Sequence, residues 1–128
     1  MPPKRRLTDR ELDVMSILWR EGSGTVNEVR DRLGADLAYT TVLWALQTLD
    51  AKSLVRRKKE GRAHRYFPAI NQEEAGGTAL GRIVDKVFHG SASMLVAQLV
   101  EERNLSVEEL REMRELLDGR LAKAAKRK

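Results

Sequence analysis

Three short amphipathic helical patterns, a basic strand–turn–strand directly after them, and further helical patterns with apolar stripes predict the fold class. It is mainly α with a small β-hairpin: a winged helix-turn-helix plus a C-terminal helical dimerisation region. The 128 residues divide at about residue 70, with 1–70 as the winged-helix part and 71–128 as the helical part.

The first helix is expected from Leu7 to Glu21, because Thr8 and Glu11 have the spacing of a reciprocal N-terminal cap. Leu12, Met15, Ile17, Leu18 and Trp19 recur mostly at helical spacing, and Gly22, Ser23 and Gly24 end the run. Thr25 caps a second helix, with Val26, Val29 and Leu33 on one face and Gly34 closing it. The third runs from about Leu37 to Lys52, with Asp36 or a neighbour as cap, and buries Val42, Ala45, Leu46 and Leu49. At 100° per residue, Thr40, Trp44 and Gln47 lie opposite that stripe and Thr41, Leu43 and Thr48 on its flanks.

Past Ser53 the period changes to that of a hairpin, Arg56 to Lys59 and Ala63 to Phe67, joined by Glu60-Gly61-Arg62 and ended by Pro68. The remainder is helical in pattern. Leu80, Ile83, Val84, Val87 and Phe88 form a stripe ending at Gly90, and Met94, Leu95, Val96 and Leu99 form another. Ser106 with Glu109 repeats the cap pattern ahead of a last helix carrying Leu110, Met113, Leu117, Leu121 and Ala124. Three such helices in roughly 48 residues bury too little surface to stand alone, so a second chain is expected to cover Leu80, Val84, Val87, Leu95, Leu99, Leu110, Met113, Leu117 and Leu121.

The charge is segregated along the chain. Residues 1–70 hold 14 basic and 9 acidic residues, 71–118 hold 5 basic and 10 acidic, and five basic residues follow. A basic first half with a basic hairpin attracts a polyanion, and in a winged helix the third helix enters the major groove while the wing touches flanking backbone. Thr40, Thr41, Leu43, Trp44, Gln47 and Thr48 are therefore the candidate groove residues, with Arg62, His64 and Arg65 for phosphate. Thr40 and Gln47 can hydrogen-bond base edges or phosphates, and Leu43 or Trp44 can pack on a thymine methyl. Trp44 is equally suited to packing against its own wing or first helix.

Other chemistries lack their residues. With no cysteine there is no disulfide, thiolate site or cysteine nucleophile, and His64 and His89 are too few for a structural zinc. Gly76-Gly77 precedes a helical stripe without the lysine and threonine of a phosphate loop. Adjacent pairs such as Glu73 and Glu74 splay around a helix rather than face each other. No enzyme activity and no cofactor are expected. The basic start, Met1 to Arg6, is followed by no apolar stretch, so neither signal peptide nor membrane insertion is expected and the cytoplasm is the expected place. The tail Lys123 to Lys128 suits a frayed helix end favoured by the negative pole of the helix dipole.

The segments LTDRELDVMSILW, DLAYTTVLWALQTLDAKSLV, RAHRYFP and NLSVEELREMRELLDG resemble the penicillinase repressor family of the BlaI/MecI type, from about Leu7 to Leu121. The resemblance implies a dimeric winged-helix repressor of inverted-repeat operators on double-stranded DNA, joined through its C-terminal helices. It also implies release by proteolysis in a pathway that starts at a membrane-bound sensor metalloprotease. By the same resemblance the recognition helix is Ala38 to Lys52, and Thr41 matches a threonine used at the DNA. Leu43 stands where some relatives carry arginine, which implies a different operator. Gln98 and Leu99 fall at the cleavage position, where some relatives have Asn-Phe; Leu99 also suits a dimer core and Gln98 a solvated face. The cysteine-rich metal motif of the copper-responsive branch is absent. A MarR-like regulator controlled by a small ligand, and a winged-helix protein-interaction subunit without specific DNA binding, are the rival readings.

Overall fold

The computed structural model describes residues 6–34 and 36–127; the expectations for the start of the chain before Arg6 and for Lys128 lie outside them. The elements are α1 (Asp9–Glu21), β1 (Gly24–Thr25), α2 (Val26–Leu33), α3 (Tyr39–Ala51), β2 (Val55–Glu60), β3 (Ala63–Pro68), α4 (Gln72–Val87), α5 (Ala92–Glu102) and α6 (Val107–Lys126). The strands form one antiparallel sheet in the order β1-β3-β2. The described residues form two compact units divided between Ile83 and Val84, so the first extends past residue 70 into α4.

Local signals set most helix ends. Thr8 accepts from Glu11 N at 3.1 Å while Thr8 N donates to the Glu11 carboxylate at 3.0 Å, and Gly22 closes α1 with φ +89°. Thr25 and Glu28 make the same reciprocal pair ahead of α2, and Asn71 with Glu74 ahead of α4. At α6 only half of the expected box forms: Ser106 Oγ accepts from Glu109 N at 3.0 Å, without the return bond.

Three expectations need correction. α3 starts at Tyr39 with Ala38 as an N-cap that has no side-chain bond, so neither Asp36 nor another side chain caps it. Tertiary contact fixes that turn instead, since Arg30 Nε donates to Leu37 O at 3.0 Å. The hairpin loop is two residues, Gly61-Arg62, because Glu60 pairs with Ala63, and Gly61 supplies the positive φ of +62° the turn needs. Gly76 and Gly77 lie inside α4 rather than before a helix.

The core of the first unit gathers Val14, Met15 and Leu18 of α1, Val29 of α2, Val42, Leu46 and Leu49 of α3, and Leu54, Val55 and Tyr66 of the sheet, all nearly or wholly buried. β1 was not anticipated. Glycine fits closely there, since a Cβ at Gly24 would stand 3.0 Å from Val29 Cγ2 and that side chain would have to shift. Trp19 closes the unit by donating its Nε1 proton to Ile70 O at 2.8 Å.

One ion pair in this unit is nearly dry. Glu11 is 5% exposed, and its carboxylate accepts from Lys52 Nζ at 2.7 Å as well as from Thr8 N, while Lys52 Nζ also donates to Arg6 O at 2.7 Å. Glu11→Ala removes the return bond of the cap, leaving Thr8 Oγ1 on the backbone N–H of residue 11, and leaves the ammonium without its anion, so a loss of about 2–4 kcal/mol is expected. Glu11→Gln keeps the cap and should lose about half of that. Urea midpoints at constant slope measure both, and a Gln variant as stable as the parent would show that the ion pair adds nothing.

In the second unit, neither α5 nor α6 buries a residue within the chain. Phe88 is buried, and Leu95, Leu105 and Met113 are half-buried. Leu99, Leu110, Leu117 and Leu121 stay exposed, Leu117 by 62% and Leu121 by 71%. On α4, Val84 is half-buried and Val87 exposed, and Leu80, on the part of α4 that belongs to the first unit, is exposed as well.

Candidate nucleic-acid interface

The burial stripe of α3 is as the spacing predicts: Val42, Ala45, Leu46 and Leu49 face the core. That orientation turns Thr40, Thr41, Trp44 and Gln47 outward, with Leu43 and Thr48 half-buried on the flanks. Leu43 packs against the core cluster, whereas Trp44 is 73% exposed. Trp44 therefore does not bury its ring against the wing or α1. With Thr8, Arg10, Glu11, Thr41, Ala45 and Thr48 it lines a shallow hollow between the first turn of α1 and the middle of α3. Tyr39, 42% exposed at the first residue of α3, adds a hydroxyl that the sequence reading passed over.

The wing divides its cations into two groups. Among the described residues no carboxylate pairs with Arg56, Lys58, Lys59 or Arg62, and all four are exposed. Arg57 Nε lies 3.7 Å from Asp50 Oδ2. Arg65 is more tightly engaged: it grips Glu28 through two bonds of 2.9 Å, Glu60 through bonds of 2.8 and 3.0 Å, and Ser23 Oγ at 3.2 Å. This guanidinium ties β3 to α2 and to the end of β2, so the structure places it in an internal clamp and not at the wing tip with Arg62. His64 is half-buried opposite Lys59.

The clamp is a fork of five donors between two acceptor pairs, the geometry for which arginine is suited. Hydrogen bonds from Arg65, with the Thr25 backbone bond at Glu28, hold both carboxyls below their ordinary range, and the two carboxylates raise Arg65 in turn. A carboxyl lowered by folding contributes stability above its unfolded pKa, and that contribution disappears as pH falls through the lowered value. The clamp should therefore be intact at neutral pH and lost only below about pH 4.5. An Arg65→Gln chain is expected to show a shallower fall in melting temperature between pH 5 and 3 than the parent. Parallel acid profiles would mean that the pairs are fully screened by water.

Gln98 and Leu99 sit within α5, both exposed, and the Gln98 amide donates to Glu102 Oε2 at 3.1 Å. His89 ends α4 with φ +53°. Among the described residues no group of three or more His, Cys, Asp or Glu is placed to hold a metal ion, and no helix is long and apolar enough to cross a membrane.

An exposed polar face on the third helix beside a wing on which Arg56, Lys58, Lys59 and Arg62 have no carboxylate partner among the described residues defines a winged-helix DNA-binding protein. The chain matches the penicillinase repressor family over residues 7–119 and belongs to it. Members of that family are DNA-binding transcriptional repressors of the BlaI/MecI type, not enzymes, and so is this protein. It is 39% identical over 100 residues to the transcriptional regulator BlaI of Mycobacterium tuberculosis, covering 75% of this chain and 72% of that one. To the penicillinase repressor of Bacillus licheniformis it is 27% identical over 115 residues, covering 88% and 90%. Among solved structures, the DNA-binding domain of the repressor BlaI superposes with a TM-score of 0.50 at 30% identity, over 55% of this chain and 88% of that domain. This membership sets aside the MarR-like reading and the reading as a protein-interaction subunit.

Proposed function

We propose that the protein works in the cytoplasm as a homodimer that occupies an inverted-repeat operator and excludes RNA polymerase from it. Each α3 reads one half-site through Thr40, Thr41, Trp44 and Gln47, flanked by Leu43 and Thr48. Arg62 and its unpaired neighbours on the wing hold phosphates, with His64 beside them. The observation that carries this reading is the outward face of α3 over a closed core, next to wing cations that no carboxylate among the described residues neutralises. The dimer rests on the exposed apolar rows of α4, α5 and α6. Relief by proteolysis at Gln98–Leu99, linked to a membrane sensor metalloprotease, completes the reading. It is supported by the family membership and by the exposure of the pair, and it fails if fragments of the induced protein do not end at Gln98.

The test of the function is binding of the purified protein, at two salt concentrations, to its own upstream DNA and to a scrambled duplex of equal length. A preference of about a thousandfold that survives the higher salt is expected. Equal affinity for every duplex offered, including the products of a genome-wide selection, would overturn it. Within that assay, Arg62→Ala should weaken both duplexes alike and reduce the salt slope by about 0.9 per chain, the share of one phosphate contact. Arg65→Gln should leave the slope unchanged, since Arg65 is spent on Glu28 and Glu60. A reduced slope in the Arg65 variant would show that the clamp opens on DNA.

A further inference from the structure

We infer that Trp44 is a thymine reader: its indole packs on the 5-methyl group of one thymine in each operator half-site and makes that position part of the specificity. The inference rests on the operator-reading function of α3 proposed above and adds the base and the atom group recognised.

Outside the buried stripe α3 carries two large apolar side chains without a hydroxyl, Leu43 and Trp44, while Tyr39 at its first residue carries one; burial separates the two. Leu43 is half-buried and packs against the core of its own domain, so little of it remains to meet a ligand. Trp44 is 73% exposed and is the largest apolar side chain on the outward face of α3. Its neighbours there, Thr40, Thr41 and Gln47, are polar and equally outward, so the indole is an isolated apolar surface in a hydrogen-bonding field. A large ring left 73% exposed on an otherwise polar face adds little to the stability of the fold, since most of its area is not removed from water. In the major groove the edges of guanine, cytosine and adenine offer only donors and acceptors, and thymine alone adds an apolar group, its methyl. The chemistry that matches an isolated apolar surface among polar ones is therefore thymine.

The size of the effect follows from one methyl per half-site. Burial of a methyl-sized group corresponds to a factor of about four in affinity, hence about fifteenfold for a symmetric site changed in both halves.

The probe is the duplex enriched by the parent protein from a pool of random sequences. Each thymine in it is replaced, in symmetric pairs, by deoxyuridine, which lacks only the methyl. One pair is expected to weaken the parent about fifteenfold and Trp44→Ala by less than twofold, and a second selection with Trp44→Ala should lose the requirement for thymine at that position. Trp19 is then the sole tryptophan, and unchanged emission from it shows that the first unit remains folded. An enriched site in which no deoxyuridine pair distinguishes parent from variant overturns the thymine assignment and leaves the operator reading intact. Failure to enrich any site overturns the operator reading, and this inference with it.

Discussion

A Leu117→Glu chain is expected to sediment as a monomer and to bind operator DNA about 10²- to 10⁴-fold more weakly than the parent. Leu117 is 62% exposed on α6 within one chain, in a row with Leu110, Met113 and Leu121. Glutamate has nearly the helix propensity of leucine, so the change costs α6 itself little. Its effect falls on the second copy, where two carboxylates would enter an apolar seam by symmetry and lose water without gaining a partner. Loss of the dimer uncouples the two half-sites, and the second contact ceases to be intramolecular, which sets the size of the loss. The monomer should retain the melting behaviour of its first unit, because that core draws on none of these residues. An unchanged dimer mass would mean that α6 faces water in the assembly and that another surface joins the chains.

The second large effect concerns α3. Thr41→Ala combined with Gln47→Ala is expected to lower affinity for the specific site about a thousandfold while leaving affinity for scrambled DNA within about twofold. The estimate assigns about 1 kcal/mol to each lost contact and counts four contacts in a dimer, at 1.4 kcal/mol per factor of ten. Both side chains are exposed and neither makes a side-chain hydrogen bond among the described residues, so truncation is expected to leave the fold as it is. Preserved weak binding is the informative half of the result, because phosphate contacts from the wing persist when base contacts are removed. Equal loss on both duplexes would place these residues at the backbone and not at the bases.

How legible each feature was in the sequence depended on how local its cause is. The caps at Thr8 and Thr25, the stripe of α3 and the hairpin arise from residues a few positions apart, and spacing reveals them. β1 is two residues long, and Gly24 and Thr25 read equally well as a helix terminator and a cap; only pairing with Tyr66 and Arg65 makes them a strand. The bounds of α3 lie where the resemblance puts them, with Ala38 and Lys52 as its caps, but the absence of a side-chain cap was not legible, since the Arg30 bond to Leu37 O joins α2 to the turn before α3. Arg65 was the least legible of the site residues. In a run of basic wing residues it looks like its neighbours, and its distinction comes from Glu28, 37 positions away. The face of Trp44 could be read from periodicity, but its exposure required knowing that neither α1 nor the wing covers it.

Glu11 has a consequence for how the domain opens. The same carboxylate begins α1 and anchors Lys52 at the end of α3, two places 41 positions apart in sequence. Fraying of either end therefore removes a bond from the other, and the two ends form one cooperative unit instead of two independent ones. Helix ends are normally the first amides to exchange with solvent, but here the last turn of α3 is expected to exchange more slowly because Lys52 is tied to the first turn of α1. The helix assigned to the DNA is thereby held at its C-terminal end before the DNA arrives, so that less conformational entropy remains there to be lost on binding.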